Sequence, residues 1–217
     1  MREAIMDNIV IRRETPADQR LVENLVRESF WNVYVPGCSE HYLAHRMREH
    51  PDFIPELNYV AVYDGNIVGS IMYTRAWLLG DDGEQQEIVS FGPVSVLPEY
   101  QRQGIGSALI RHTLELAGRK YEGVIIMGDP HNYCKHGFKS AMDFSVSDEN
   151  GEYPFAMLAL ELKKGAFAGG KRTFRGSDVF IMDEADIEAF DKGFAAKEKQ
   201  HRVSQDIFSI EIRAYLK

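Results

Sequence analysis

The spacing of apolar residues in the first half of the chain predicts one strand, two helices and three antiparallel strands. Leu21 and Leu25, with Val22 and Val26 beside them, recur at the helical period, so the first helix should have one buried face. Thr15 suits its N-cap, because a threonine oxygen can accept from unpaired amides. The predicted elements are a strand at 8–13, a helix after 15, a helix over 39–49, strands at 59–63 and 67–73, and a strand from about 86.

Two Asp-Gly pairs mark the turns between the three predicted strands. Asp64-Gly65 supplies the positive φ that a tight hairpin needs. Asp82-Gly83 predicts a second turn ahead of the central strand. Three successive strands joined in this way should pair antiparallel.

A glycine-bearing turn separates a strand from a helix in the middle of the chain. The strand is a nearly continuous apolar run over 88–97, and the helix over 105–117 has a wide apolar arc that suits packing on a sheet. A short apolar run at 124–127 is typical of a buried parallel strand, so these elements predict a right-handed βαβ unit. Residues 156–162 predict one more strand.

The last fifty or so residues have weaker patterns. Residues 165–170 predict a turn or linker, and Asp183 is suited to cap a helix with one apolar face. Residues 207–212 alternate in part and predict a final strand. We therefore expect a main domain over 1–164 and a C-terminal appendage over 165–217 that packs on it, since so short a segment buries little alone.

Charge and composition narrow the classes of partner. The 217 residues include 25 Lys and Arg against 33 Asp and Glu, a net charge of −8, so there is no basic footprint for nucleic acid. No apolar run is long enough to span a bilayer, and no membrane contact is predicted. Cys38 and Cys134 are too few for a disulfide framework and suit a reducing compartment, so we expect a cytoplasmic protein.

The strand, turn and helix between 88 and 107 predict a phosphate site. The first amides of a helix have no partner within the helix, and the helix dipole places partial positive charge there. Gly104 and Gly106 lack Cβ atoms, so a diphosphate can approach the backbone closely, and Arg102 can add a charged contact. An ordinary strand-to-helix turn has the same pattern and is the alternative.

The same residues resemble the signature of a known family. Gln101 to Gly106, QRQGIG, has the form Gln/Arg-x-x-Gly-x-Gly/Ala, and Val96 to Tyr100, VLPEY, is similar to the strand end that precedes it in the GCN5-related N-acetyltransferases (GNAT). A dinucleotide-binding fingerprint would need a third glycine where Leu109 stands. The Gly-Asp-Pro lead-in at 128–130 resembles a bacterial subfamily of predicted N-acetyltransferases.

The resemblance implies an α/β acyl-CoA N-acyltransferase fold, with a central mixed sheet and helices on both faces. It implies transfer of the acetyl group of acetyl-CoA, the co-substrate, to a primary amine of a small molecule or peptide by direct attack. The strand around Val94 and Val96 should diverge from the strand ending at Met127, so that its free backbone groups hold pantetheine. The implied cofactor-binding residues are Val94, Ser95, Val96, Gln101, Arg102, Gln103, Gly104, Ile105, Gly106, Ser107 and Asn132.

A tyrosine four residues before a Gly-Phe pair is the second point of resemblance. Tyr133 precedes Gly137-Phe138, and the family implies that it is the general acid for the departing thiolate. An unperturbed phenol, with a pKa of about 10, stays protonated at pH 7 and suits a thiolate of pKa about 8.5. The alternative is a core tyrosine whose hydroxyl bonds a carbonyl.

The general base is left open. Some family members use a glutamate on the central strand where Ser90 stands, and serine cannot accept a proton unaided. Asp129 or His131 could relay the proton through water, although loop capping by Asp129 and solvent exposure of His131 explain them equally well. Loss of the proton to ordered water, without a dedicated base, is a further alternative.

The acceptor side of the cleft is expected on the two-helix segment, with aromatic residues at its bend. Trp31, Tyr34 and Ser90 are the candidate substrate-binding residues, and Trp77 is a further aromatic candidate, although large aromatic residues are also common in protein cores. We expect acceptor specificity to depend on the helices over 30–55 and on the C-terminal appendage, although no transferable motif in either identifies the amine.

The sequence leaves an alternative function and the oligomeric state open, and it predicts no metal site. Because the central strand has no glutamate at position 90, a catalytically weak CoA-binding sensor or regulatory module with the same fold is the alternative function. His41 and His45 can share a helix face, but no third ligand accompanies them, so no metal is predicted. The oligomeric state is open, and a homodimer is one option.

Overall fold

The computed structural model describes residues 6–81 and 83–217. Its strands are β1 (Ile9–Arg13), β2 (Tyr59–Tyr63), β3 (Asn66–Gly80), β4 (Gln85–Val96), β5 (Gly123–Met127), β6 (Lys139–Ser140), β7 (Val146–Ser147), β8 (Tyr153–Pro154), β9 (Met157–Glu161), β10 (Arg172–Arg175) and β11 (Tyr215–Leu216). Its helices are α1 (Gln19–Phe30), α2 (Glu40–Met47), α3 (Ile105–Ala117), α4 (Pro130–Tyr133), α5 (Glu184–Asp191) and α6 (Val203–Glu211).

One mixed sheet forms the centre of the described chain. Its strands follow the order β1-β2-β3-β4-β5-β9-β6, and β10 pairs with both β3 and β7. The pairs β1–β2, β2–β3 and β3–β4 are antiparallel, whereas β4 and β5 run parallel, because helix α3 carries the chain from one to the other. The predicted meander and βαβ order are therefore confirmed.

Helices cover both faces of the sheet, as expected for the fold. Alternate residues of a strand point to opposite faces, and β3 divides accordingly. Ile71 and Tyr73 pack with Leu109 of α3, while Met72 between them packs with Val22 of α1. The two apolar cores therefore lie on either side of the sheet.

Helix α3 lies close against β3 because Gly69 has no side chain. A Cβ there would lie 3.1 Å from Leu109 Cδ1 and 3.1 Å from the carbonyl oxygen of Ser95, a contact too tight for most side chains. A buried hydrogen bond of 2.9 Å between the hydroxyls of Tyr73 and Thr113 joins the same two elements. These contacts fix the position of helix α3 against the sheet, and with it the position of the first turn of the helix.

The expected divergence of β4 from its parallel neighbour is confirmed. The recorded pairing of β4 with β5 joins Val89 to Val124, near the start of β5. The remaining residues of β5 pair with β9 on its other side, up to Met127 opposite Met157. Beyond Val89, therefore, the edge of β4 that faces β5 is open in the described structure.

Several predictions differ from the structure. Residues 207–212 lie at the end of helix α6, not in a strand, and the Phe208 ring of this helix packs on Tyr34 with ring centroids 4.5 Å apart. Strand β3 is also longer than the predicted 67–73.

The first helix buries a slightly different set of residues from the predicted one. Leu21, placed on the buried face of the first helix, is 57% exposed, and Val22, Leu25, Val26 and Ser29 bury that face instead. The predicted Asp82-Gly83 turn includes Asp82, which lies outside the described residues.

Residues 165–217 contact the main sheet and the first two helices. Strand β10 pairs antiparallel with the end of β3, and Phe167, expected in a linker, is 3% exposed and fills the space left by Gly123. Asp183 is the N-cap of helix α5, and its carboxylate accepts from Ala185 N, as predicted. The division at residue 164 stays an interpretation. No helix of the described chain is long and apolar enough to cross a bilayer.

Candidate active site

A cavity of about 770 Å³ opens where β4 leaves β5. The N-terminal turn of α3 lies at one end, helices α1 and α2 form another wall, and the loop after β5 closes a third. The segment after β10 completes it. The predicted site residues that line it are Tyr34, Ser90, Val94, Val96, Gln101, Arg102, Gly106, Ser107, Asp129, Asn132 and Tyr133.

Among the described residues, no acceptor is recorded for the first amides of α3. In the described chain the first recorded main-chain bond of this turn runs from Ala108 N to Gly104 O, so the amides of 104–107 donate to no recorded group. Gly104 has φ +103°, which favours glycine. Gly106 has ordinary helical geometry, and a Cβ there would meet Val96 at 3.6 Å, so protein packing does not require its missing side chain. The open amide surface fits an anionic ligand.

The free edge of β4 faces the same cavity. Leu97 N donates to Val68 O, so by antiparallel alternation the backbone groups of Val94 and Val96 point away from β3. The Val96 oxygen already accepts from Ser29 Oγ and from Gln101 Nε2, both at 3.0 Å. The edge therefore offers backbone groups around Val94, while Gln101 ties the turn to the strand end.

The Tyr133 ring can lie in the cavity because the residue beside it in space, Gly128, has no side chain. A Cβ at Gly128 would lie 2.5 Å from Tyr133 Cε2, so only glycine leaves room for the ring. The ring also packs against Phe91 and Phe138. Burial raises the pKa of the Tyr133 phenol above its ordinary value, and Tyr34 and Asp129 raise it further. The phenol is therefore a protonated donor at neutral pH.

Asp129 and His131 are engaged with each other. Asp129 Oδ1 accepts from the His131 amide at 2.9 Å and lies 2.8 Å from His131 Nδ1. The His131 side chain is 88% exposed and does not line the cavity, whereas Asp129 does. The structure therefore places His131 outside the site, and Asp129 caps the short helix α4.

The candidate acceptor residues separate into two groups. Tyr34 and Ser90 line the cavity. Trp31 does not, since its indole donates to Glu198 O at 3.0 Å and borders a smaller cavity. Trp77 is also elsewhere, with Arg175 over its ring at 5.2 Å. Both tryptophans support the packing of the C-terminal part of the chain.

Four predicted cofactor residues do not line the cavity. Ser95 and Ile105 are each 1% exposed; the backbone of Ser95 pairs with Ser70 of β3, and Ile105 packs into the core beside Gly69. The Gln103 side chain donates to Glu99 O. Gly104 acts through its backbone conformation. These residues shape the turn and its amides.

Glu40 is a cavity residue that lies outside every predicted motif. It occupies the first position of α2, and its Oε2 accepts from Ser39 N at 3.0 Å. Burial raises the pKa of its carboxyl, and the backbone hydrogen bonds of Glu40 and Ser39 oppose that rise. The only sequence signal was an acidic residue in a first helical turn, which is common.

The C-terminal part of the chain also contributes to the wall. Phe174 of β10 and Phe180 line the cavity, together with Gly176 and Ser177 between them. These residues lie more than a hundred positions beyond the helices α1 and α2 that they face. Their position agrees with the expectation that the C-terminal appendage takes part in acceptor specificity, although no sequence motif identified these four residues.

A second polar cluster lies behind α2. Arg27 Nε donates to Asp191 Oδ1 at 2.6 Å, and His41 Nε2 lies 3.1 Å from the same oxygen. Cys38 Sγ is 3.3 Å from His41 Nδ1. Burial raises the pKa of the Cys38 thiol to about 12 and lowers the pKa of His41 to about 4, so both groups are neutral at pH 7. We call these four residues the anchor cluster, because it joins α5 to α1 and α2.

One group of potential metal ligands occurs in the described chain. Ligand atoms of His50, Asp52 and Asp178 lie within 4.8 Å of one another. His50 Nδ1 accepts from Asp52 N at 3.2 Å, and Nε2 lies 2.8 Å from Asp178 Oδ1. Protein groups engage both imidazole nitrogens, so we assign no ion to the group.

Comparison with other proteins supports an acetyltransferase assignment. Two relatives are N-acetyltransferases of unknown role from Escherichia coli (strain K12). YjhQ is 38% identical over 87 residues, which cover 39% of this chain and 47% of YjhQ. YhbS is 30% identical over 135 residues, covering 61% of this chain and 75% of YhbS. The match thus spans about half the length of YjhQ.

Solved structures share the fold. The structure of E. coli YhbS in complex with CoA superposes with a TM-score of 0.70 at 24% identity. The superposed region covers 81% of this chain and 93% of the YhbS chain. A GNAT acetyltransferase from Brucella melitensis in complex with acetyl-CoA has a TM-score of 0.61 at 25% identity, covering 79% and 97%.

The family model supplies the direct assignment. The model described as "Acetyltransferase (GNAT) family" matches residues 26–138. The match begins in α1, includes the open amides of α3 and ends at the Gly137-Phe138 pair. This chain belongs to the GNAT family of acetyltransferases.

Proposed function

We propose that this protein transfers the acetyl group of acetyl-CoA to a primary amine of a small molecule or peptide. The observation that carries the proposal is the set of open amides at residues 104–107, beside the free edge of β4 and in the same cavity as Tyr133. A diphosphate, an extended pantetheine arm and a thioester need those three features in that order. The CoA and acetyl-CoA in the related structures agree with this choice of co-substrate.

The residues of the turn fit the nucleotide end of acetyl-CoA. The amides at the start of α3 donate to the diphosphate, and the helix dipole adds to the attraction. Gly106 leaves the amide surface uncovered, and Arg102 and Asn132 border the same space. Backbone groups around Val94 bind the pantetheine amides as an added strand would.

Tyr133 assists departure of the thiolate. Its raised pKa means that it holds its proton more tightly than an ordinary phenol, so the simple match to a thiol pKa no longer applies. We propose that the hydroxyl donates to the sulfur as negative charge develops and transfers its proton as the C–S bond breaks.

We do not favour the sensor alternative. Its motive was the serine at position 90, where some family members have a glutamate. The cavity has carboxylates from other elements, Glu40 of α2 and Asp129 of the loop after β5, so the serine alone is no reason to expect loss of turnover.

Calorimetry and a thiol-release assay test the proposal. We expect acetyl-CoA to bind and to release free thiol when a suitable primary amine is present. Tyr133→Phe should lower kcat about 100-fold while acetyl-CoA affinity stays within about twofold, because general acid catalysis of this kind contributes about 10²–10⁴-fold. Tyr215→Phe, at a half-exposed tyrosine in β11, is the matched control. Absence of binding at millimolar acetyl-CoA would overturn the proposal.

A further inference from the structure

Glu40 places a negative charge on the acceptor side of the cavity. It is half-buried at the start of α2, near Phe30, Tyr34 and Leu43, which line the same space. Glu40 and Tyr34 line the same cavity, and the Glu40 carboxylate raises the pKa of the Tyr34 phenol, second only to burial. The carboxylate therefore borders the cavity together with the aromatic bend after α1.

Glu40 differs from neighbouring glutamates in its ion pairing. Within residues 6–81 and 83–217, no Lys, Arg or His nitrogen is recorded within 4.0 Å of its carboxylate oxygens. Other glutamates of α1 and α2 differ, since Glu23 pairs with Arg48 and His45. The Ser39 amide donates to Glu40 Oε2, and the amide of Glu40 itself also stabilises the carboxylate. Both partners are neutral amides, so a half-buried carboxylate that has no ion-pair partner among the described residues suits a cationic ligand.

The surrounding wall is apolar. Phe30 and Leu43 on one side and Phe174 and Phe180 on the other line the cavity around this charge. Such a wall favours a ligand that carries a single positive charge on a hydrophobic body. A polycation would have to bury further charges against these side chains, which is unfavourable.

We propose that Glu40 binds the ammonium group of the acceptor and removes its proton, and that the acceptor is a small primary monoamine with an aromatic or aliphatic body. The inference rests on the proposed acetyltransferase function and assigns the base that the sequence left open. Glu40 differs from the central-strand position in that it comes from helix α2.

The proton balance of this step is complete. The ammonium gives one proton to Glu40, and the free amine forms the N–C bond with the thioester carbonyl while the C–S bond breaks. The thiolate takes a proton from Tyr133, and the new amide nitrogen returns its second proton to Tyr133 through water. Glu40 then releases its proton to solvent, so one ammonium and acetyl-CoA give one amide, CoA thiol and one proton.

Other titratable and charged groups also influence the pH dependence. Those that line the cavity with Glu40 are Tyr34 of its own segment, Arg102 of the turn before α3, and Asp129, Tyr133, Lys135 and His136 after β5. Outside the cavity, Glu40 also acts on the Cys38 thiol, and Glu211 of α6 acts on Tyr34.

A binding experiment isolates recognition of the cation. With CoA present, 2-phenylethylamine and its neutral analogue 2-phenylethanol are titrated into the wild type, Glu40→Gln and Glu49→Gln, the last being an exposed glutamate just after α2. We expect Glu40→Gln to weaken phenylethylamine at least tenfold and to leave phenylethanol unchanged. Equal affinity of the wild type for both ligands would overturn cation recognition, even if Glu40→Gln failed to fold.

Kinetics test removal of the proton. For Glu40→Gln we expect kcat/KM for phenylethylamine to fall about 100-fold near neutral pH, with acetyl-CoA affinity within about twofold of wild type. The deficit should shrink as pH rises, because solution then supplies the free amine. A deficit that is constant with pH would overturn the base assignment.

An amine panel tests the substrate class. Phenylethylamine should exceed spermidine in kcat/KM by at least tenfold, and the reverse order would overturn the class. If the wild type binds no acetyl-CoA, the proposed function itself fails. If the wild type turns over amines but Glu40→Gln matches Glu49→Gln, only the present inference fails.

Discussion

The two ends of the cavity are built in different ways. The end at α3 comes from one continuous stretch, 94–107, and presents backbone amides and a strand edge. The end at Glu40 combines side chains from α1, α2 and residues 174–180. A backbone surface depends on local conformation, which glycines and helix termini encode directly. A side-chain surface depends on tertiary contacts between distant segments.

The acceptor end is consequently tied to the anchor cluster. Helix α5 is joined to α1 and α2 through Asp191, Arg27 and His41. Further along, Trp31 Nε1 and Asn32 Nδ2 both donate to Glu198 O. If the two ends of the cavity depend on different contacts, loosening the anchor cluster should weaken amine binding and leave acetyl-CoA binding unchanged.

The largest expected effect follows Asp191→Asn. The Arg27 side chain is 3% exposed, so removal of its partner leaves a buried charge without compensation. We expect the free energy of unfolding to fall by about 3 kcal/mol, as for other broken buried pairs. Urea unfolding measures it, and steady-state kinetics should show a raised KM for the amine with acetyl-CoA affinity unchanged.

Glu188→Gln is the control for this variant. Glu188 lies 3.9 Å from Lys199 and both side chains are more than half exposed, so this pair should contribute about 0–1 kcal/mol. Equal loss of affinity for amine and acetyl-CoA in Asp191→Asn would contradict the separation of the two ends.

The same contrast explains what could be predicted from the sequence. The glycine turn and the meander follow from local patterns, whereas Tyr133 was singled out by the resemblance to the family, and the structure has Tyr133 in the cavity. Glu40 was missed because an acidic residue in a first helical turn is ordinary, and only its place in the same cavity as Phe174 makes it distinctive. The predicted strand at 207–212 was wrong, because Phe208 contacts Tyr34, a residue more than 170 positions earlier, and local patterns do not report such a contact.

The next effect tests the backbone end directly. Gly106→Val adds a branched side chain where the Cβ meets protein only at an ordinary distance of 3.6 Å, so folding should be retained. The added atoms cover the amides, and acetyl-CoA affinity should fall about 100-fold, equivalent to about 2.8 kcal/mol. Gly118→Ala, at the other end of α3, should bind acetyl-CoA as the wild type does. If calorimetry finds the same acetyl-CoA affinity in Gly106→Val as in the wild type, the diphosphate does not bind at these amides.

A smaller effect should come from Gly128→Ala. The added Cβ would lie 2.5 Å from the Tyr133 ring, so the ring must turn away from its place beside Phe91. We expect kcat to fall about 10-fold with acetyl-CoA affinity nearly constant, because misplacement of an acid by about 1 Å is costly. A fall in affinity without a fall in kcat would show that Tyr133 positions acetyl-CoA instead.

The smallest effect concerns pH and the anchor cluster. His41 is fully buried with its pKa lowered to about 4, against about 6.5 in the unfolded chain. Burial disfavours its charged form, although Asp191 opposes this and Arg27 adds to it. Between these two values the unfolded chain binds a proton that the folded chain does not, so stability falls as pH decreases.

Urea unfolding at two pH values measures this contribution. Between pH 7.5 and pH 5.5, protonation of His41 in the unfolded chain should lower the free energy of unfolding by about 1 kcal/mol. The variant His41→Gln should lack this contribution to the pH dependence. His131→Gln, at a surface histidine, should keep it. Because His41 contacts α5 through Asp191, hydrogen exchange at pH 5.5 should rise in residues 184–191 before it rises in α3. Simultaneous loosening of both would show that the two ends of the cavity share one stability.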